Sequence, residues 1–482
     1  MTTRHGVRPR RHAPAHRYAG DIVLAAQSKG AAIVRITMTV LALISGTYAV
    51  SVPTAEAIPA FARKYALDCA ACHTAPPRLN TFGERFLENG YQLPGTEDGG
   101  TTGKKNLANL SLDDFANYTG VRLRGNVLRT HNFKQQNPPT AEPGTVHNNS
   151  ELGFPEIFSL FTAGSLAKNI GFFVELESNL EESSTGIERA FLTFNNLGGN
   201  NLANIRIGRI DPSATFSFST LRQQLEFVGE RTNSSTDAVQ RAGLFPLAAS
   251  AKFYGLHNRS GTAISPYAPS LYNAVAETGI EVRGRPFGDW FMYQVGVLNG
   301  ANEAFGDSNK GKDFYGAVRF DYARSANFSA SLSGFAYLGN SNATVLTGTG
   351  LADVNWNRYG IAAHLRYKMF DLYGMYTLDR IAHVPTAALA NLDTSASGLS
   401  VALDTYVTDR TLLSLRYDSM DAGGDLSQRT SQSFAGMQVK QYLRSNVALF
   451  VRNDFNLRRA ENGNAAARNL RNAFFVGIDI AY

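Results

Sequence analysis

The sequence predicts a mainly β chain: a transmembrane β-barrel of about sixteen strands, with a small α-helical segment ahead of it and an export leader ahead of that. Three observations carry this reading. From Tyr118 to the last residue, apolar and polar side chains alternate with period two. Short turns alternate with longer connections rich in Gly, Asn, Ser and Thr. Beyond the first 57 residues, no apolar run approaches the ~20 residues that a membrane-spanning helix needs.

Composition narrows the class. The 482 residues are 44% hydrophobic and 18% charged, with a mean hydropathy of -0.19. Disorder needs the opposite balance. The pI of 9.1 suggests a nucleic-acid partner, but its source is local. Residues 1–57 hold seven of the 46 basic and two of the 40 acidic residues, leaving 39 and 38 in the remainder. The body is near balance, so no nucleic-acid partner is expected.

The leader carries Arg4, Arg8, Arg10, Arg11, Arg17, Lys29 and Arg35, then the apolar stretch Ile36 to Val50, then Ala55-Glu56-Ala57. A basic n-region, an h-region of this length and a small-residue site make a signal peptide over 1–57, with the mature chain starting at Ile58. A retained anchor is the rival reading, and fifteen apolar residues are short for it.

The whole chain has two cysteines, both in Cys69-Ala70-Ala71-Cys72-His73. This spacing is the attachment signature of a c-type haem. Positions i and i+3 of a helix share a face, so both thiols reach one porphyrin. His73 follows as the expected axial ligand of the iron. A disulfide or a thioredoxin-like redox pair needs no such His. A zinc site wants four ligands, and there is no second Cys pair. One covalent haem c is therefore expected, in a domain over 58–112. Phe61, Tyr65, Cys69 and Cys72 fall on one helical stripe, which Pro76-Pro77 ends. Thr81-x-x-Glu84 reads as a capping box opening a second helix, with Gly90 as its stop. So small a unit leans on its cofactor and on the rest of the chain.

The barrel is expected over 113–482. Phe314, Gly316, Val318, Phe320 and Tyr322 alternate with Asp313, Tyr315, Ala317, Arg319 and Asp321. Phe328 to Ala336 and Val447 to Asn456 repeat the pattern, and the chain ends on an alternating strand at Tyr482. Strands of ~10 residues with charges of both signs on one face suit a barrel whose polar face lines a lumen. Short turns are expected at 167–168, 287–289, 324–325, 369–370, 408–409 and 444–445. The gap from Pro212 to Thr278 reads as the third outer loop, or as two further strands that would make eighteen. The loops His257 to Glu277 and Asn340 to Ala352 are poor in charge, which points to an acidic habitat. Arg319/Asp321, Arg416/Asp418 and Arg452/Asp454 read as charge-balanced lining. A second haem ligand is missing near the motif, since the next His is His131. By strand parity Met292, His364 and Met375 face the lumen and are the candidates if the barrel supplies a distal ligand; the alternatives are a five-coordinate haem or another residue. Electrons from outside would otherwise face the whole ~25 Å apolar band, so the haem segment is expected to plug the barrel.

The run Ala60-Phe61-Ala62-Arg63-Lys64-Tyr65, then Cys69 to His73, then Pro77, Leu79-Asn80, Phe82-Gly83, Phe86 and Asn89-Gly90-Tyr91 resembles the fused cytochrome–porins of iron-oxidising bacteria, of the iron:rusticyanin reductase type. The resemblance implies an oxidoreductase of the bacterial outer membrane, seated in outer-membrane lipid. It implies oxidation of extracellular Fe(II) and delivery of electrons to a periplasmic carrier, a blue copper protein or a c-type cytochrome. The rival expectations are a conduit for another donor or acceptor, and a diffusion porin whose haem is regulatory or incidental.

Overall fold

A computed structural model describes residues 60–76, 78–93, 105–107, 110–112, 117–135, 146–180, 183–210, 276–299, 311–325, 327–344, 351–384, 392–424, 430–444, 446–458 and 468–481. The leader, the segment from 211 to 275 with most of the expected third loop, and the tip 345–350 lie outside the described residues.

The N-terminal segment holds helices α1 (Ala60–Tyr65), α2 (Cys69–Cys72) and α3 (Thr81–Glu88), with strands β1 (His73–Ala75) and β2 (Arg78–Leu79) between α2 and α3. A short hairpin of β3 (Lys105–Leu107) and β4 (Leu110–Leu112) follows. The wall then runs from β5 (Thr119–Gln135) through β6 (Val146–Leu152), β7 (Ile157–Ala167), β8 (Ile170–Asn179), β9 (Ser184–Leu197), β10 (Ala203–Ile210), β11 (Glu277–Gly284) and β12 (Phe291–Leu298). It continues with β13 (Asp313–Ser325), β14 (Phe328–Thr344), β15 (Leu351–Tyr367), β16 (Phe370–Val384), β17 (Leu392–Thr408) and β18 (Thr411–Gly424). It ends with β19 (Thr430–Arg444), β20 (Val447–Arg458) and β21 (Arg468–Ala481).

These segments form one closed antiparallel barrel in which β21 returns to pair with β5. β6 and β7 both pair with β5, through Leu128↔Leu152 and Arg124↔Ile157, so they are two halves of one interrupted strand. The barrel therefore has sixteen strands. The choice between sixteen and eighteen falls to one pairing. β10 and β11 are hydrogen-bonded neighbours from Asn204↔Arg283 to Ile210↔Glu277, which leaves no place between them for two more strands. The expected loop from Asn340 to Ala352 is shorter than the sequence suggested, because Asn340↔Asn355 to Thr344↔Leu351 continue the ladder.

The period-two pattern sorts by face. On β13, Phe314, Val318, Phe320 and Tyr322 are exposed, whereas Asp313, Tyr315, Arg319 and Asp321 are buried. The apolar set faces outward on strand after strand, as a membrane requires. Near the short-turn end Phe287, Trp290, Phe291 and Phe320 stack in an outward cluster, with Trp290 and Phe320 centroids 6.1 Å apart. Aromatics at that level form the interfacial girdle of such barrels. The short turns fall where the sequence placed them, and one more joins β9 to β10 through Gly198, Gly199, Asn200 and Asn201, all at positive φ.

A barrel of this kind is expected to be heat-modifiable. Unheated protein in a denaturing gel should migrate apart from boiled protein, and its circular dichroism should be dominated by β structure. Identical migration, or a mainly helical spectrum, would contradict the closed barrel.

Candidate functional site at the barrel mouth

Residues 54–482 form one compact unit, and the described part of the N-terminal segment, 60–93, lies inside the barrel at its short-turn end. Its apolar side supplies Leu79, Phe86, Leu87 and Tyr91 to a core shared with the wall residues Phe173, Phe191, Leu298, Tyr315 and Tyr337. Tyr91 stacks on Phe61 at 5.0 Å and on Phe173 at 5.6 Å. Each large apolar side chain so buried contributes roughly 1.5–3 kcal/mol. The described N-terminal segment thus packs against the inner wall.

The cysteine loop departs from the continuous helix that its stripe suggested. α1 stops at Tyr65, Ala66 takes a left-handed φ of 52°, and Asp68 reopens a single turn, α2. His73 has already left that turn: its φ of -117° and ψ of 143° are extended, and it pairs with Leu79 on β2. Both thiols are half-buried and free, not joined to each other. Burial pushes the Cys72 thiol up to about 11, and the neighbouring Cys69 adds to the effect. Both thiols are therefore neutral near pH 7. Two free thiols on one turn followed at once by an imidazole are the donor set that a c-type haem takes.

Asn80 holds this loop. Its amide donates to Ala70 O at 3.2 Å and Ala71 O at 2.9 Å, and its backbone N–H to Cys72 O at 2.8 Å. Its Oδ1 accepts from Gly83 N at 2.9 Å, which makes Asn80 the N-cap of α3. The capping box expected at Thr81 is thus displaced by one residue, and Glu84 is spent elsewhere. Gly83 is dictated by contact: a Cβ there would stand 2.2 Å from Cys72 O. Gly90, at φ +63°, ends the helix as expected and also passes so close to the wall that a Cβ would meet Asn195 at 2.2 Å.

Two groups of ion pairs tie the plug to the wall. Arg78, 0% exposed, places Nη1 2.5 Å from Asp371 Oδ1 on β16 and Nη2 3.1 Å from Asp404 Oδ2 on β17. On another sector the Glu88 carboxylate accepts from Arg285 Nε at 2.8 Å and from Arg319 Nη2 at 2.5 Å, and Glu84 lies 3.3 Å from Arg319 Nη1. Asp321 completes this group against both arginines, at 2.8 Å and 3.1 Å. The pair Arg319/Asp321, expected as mere lining, is part of the plug's seat. Arg416/Asp418 at 2.8 Å and Arg452/Asp454 at 2.6 Å are charge-balanced lumen pairs as expected.

The three candidate distal residues all face inward, as their parity required. Met292, His364 and Met375 are buried. They are not brought together. His364 Nε2 is 2.8 Å from Asp371 Oδ1, so the imidazole belongs to the seat of Arg78. Met375 lies in the same sector against Tyr373, whose ring is 5.7 Å from the Arg78 guanidinium. Met292 sits opposite Arg319 in the ladder, beside the Glu88 group. Arg78, Glu84, Glu88 and Arg285 were missed as site residues. Their signal was slight: three charges within a segment otherwise read as apolar packing around a cofactor, and one in a turn.

No protein-family model and no curated protein matches this chain. Several solved outer-membrane proteins are similar to it. A loop-deleted OmpT of Vibrio cholerae is 12% identical, covering 76% of this chain and 99% of its own, with a TM-score of 0.43. The outer-membrane channel DcaP of Acinetobacter baumannii is 10% identical over 76% and 96%, with a TM-score of 0.47. An anion-selective porin from Comamonas acidovorans is 15% identical over 76% and 98%, with a TM-score of 0.45.

The Glu88 group fixes a pH dependence. Burial alone would raise the Glu88 carboxyl, but Arg285 and Arg319 outweigh it and bring it down from 4.5 to about 2. A group depressed on docking contributes stability that is full above its free value and lost as pH falls through its docked value. The gap corresponds to about 3 kcal/mol. Docking is therefore expected to weaken progressively from pH 4.5 to about 2. Proteolysis of the plug in detergent against pH should show this. Glu88→Gln should flatten the profile, and an unchanged profile would refute the assignment.

Proposed function

We propose that this protein is an outer-membrane electron conduit. In this reading it carries one covalent haem c at the periplasmic mouth of its barrel, takes electrons from extracellular Fe(II), and delivers them to a periplasmic carrier. The observation that supports it is the pair of free thiols, Cys69 and Cys72, on one turn next to His73, in a segment seated inside the barrel. Cys69 and Cys72 would bind the haem by thioether bonds and His73 would ligate its iron. The haem supplies a one-electron couple.

The remaining work falls to the chain. Asn80 fixes the loop that presents the two thiols. Leu79, Phe86 and Tyr91 exclude water from its inner side. Arg78 and Glu88 hold the loop in the mouth. Short turns mark the periplasmic end of bacterial barrels, and in this reading a soluble carrier would meet the loop there. Outer-sphere transfer of one electron needs no acid or base, so no catalytic carboxylate is assigned.

Stopped-flow mixing of the purified holoprotein with Fe(II), read in the haem Soret band, tests the reading. Reduction is expected, with a midpoint potential high enough to accept from iron. Replacing Met292, His364 or Met375 one at a time should shift that potential if the residue is the distal ligand. A haem that Fe(II) leaves oxidised from acid to neutral pH would remove iron as the donor. The second reading, a diffusion porin, has the polar and charge-balanced lumen in its favour. Free ion flow through the holoprotein in a planar bilayer would decide for it.

A further inference from the structure

The two plug anchors have opposite polarity. At one, the cation is on the plug: Arg78 lies between the carboxylates of Asp371 and Asp404, with His364 bonded to Asp371 behind them. At the other, the anions are on the plug: Glu84 and Glu88 face Arg285 and Arg319. A turn that carried Arg78 to the Arg285 and Arg319 sector, or Glu84 and Glu88 to the Asp371 and Asp404 sector, would set like charges together. Like charges buried at low effective dielectric repel strongly, so exchange of the two sectors is disfavoured.

The Arg78 anchor is also wired to the cysteine loop. Arg78, Leu79 and Asn80 are consecutive. The first grips two wall strands, the second pairs with His73, and the third bonds the carbonyls of Ala70, Ala71 and Cys72. Any displacement of the Arg78 guanidinium is passed to the thiols and the imidazole through at most two residues.

We infer that this charge code sets the rotational register of the Cys69–His73 loop in the lumen, and that Arg78 is a positioning residue for the haem that the loop carries. The haem half of the inference rests on the proposed function; the register half does not. A guanidinium presents a rigid planar fork of donors to the two carboxylates, whereas a lysine ammonium is a compact point charge that keeps the charge but not the fork. Arg78→Lys should therefore restore only part of what Arg78→Gln removes.

The test uses the full-length holoprotein. In Arg78→Gln, haem staining should persist, while the midpoint potential shifts and the haem electron-paramagnetic-resonance signal becomes more heterogeneous than in the unaltered protein. Arg78→Lys should lie between Gln and wild type. A second readout needs no haem. A photo-crosslinking p-benzoylphenylalanine at Phe82, which is exposed, should capture one wall segment in the otherwise unaltered chain and several in Arg78→Gln. If Arg78→Gln does not assemble, the Arg78→Lys chain carries both measurements. A wild-type potential together with the same single crosslink would overturn the inference. Absence of covalent haem in the unaltered protein would remove the cofactor reading, while the crosslink would still decide the register.

Discussion

Mature protein in which Cys69→Ala and Cys72→Ala are combined is expected to lose all haem staining in a denaturing gel. The loss should be complete because these are the only thiols in the chain. Each single variant should keep a residual stain at most, since one thioether bond anchors the porphyrin less securely than two. His73→Ala should behave differently: the thioether bonds survive, and the change appears in the Soret position and the potential. The barrel should be indifferent to all three, because its closure depends on β5 to β21 and on the pairing of β21 with β5. Heat-modifiability is the control. Haem staining that survives the double change would exclude thioether attachment at this motif.

The fold was legible because its signal is local. Period two is written into each strand, and a one-residue slip would turn every Phe and Val of β13 into the lumen. The turns were legible for the same reason. The two cysteines and the histidine suggest a donor set from sequence alone, but not where it sits. What seats it connects residues far apart in sequence. Arg78 and Asp371 are 293 positions apart, and Glu88 and Arg285 are 197 apart. No periodicity records such a pairing, so Glu84 was read as a helix cap and His364 as a candidate ligand. Glu84 turns out to meet Arg319 at the junction between plug and wall, and His364, still a candidate ligand, also meets Asp371 there. The continuous helical stripe from Phe61 to Cys72 failed at Ala66, whose left-handed backbone a helical wheel does not foresee.

The plug makes the second large effect one of conductance. In planar bilayers the intact holoprotein is expected to pass little current, and Glu84→Lys combined with Glu88→Lys to pass much more. The substitution sets two ammonium groups against Arg285 and Arg319, with Arg283 beside them, where two carboxylates now sit. Juxtaposing like charges in a desolvated seat costs several kcal/mol, and each ~1.4 kcal/mol moves the docked fraction tenfold. The open fraction should therefore rise by at least about tenfold. The wall itself is not expected to fail, because Arg285 and Arg319 keep Asp321 as a partner. Raising the salt should narrow the gap between variant and wild type only slightly, since a buried pair is screened far less than an exposed one. A double variant that stays as closed as the intact protein would show that ion pairing does not hold the plug. An intact protein that already conducts freely would show that the lumen beside the plug is open, and the porin reading would then stand ahead of the conduit.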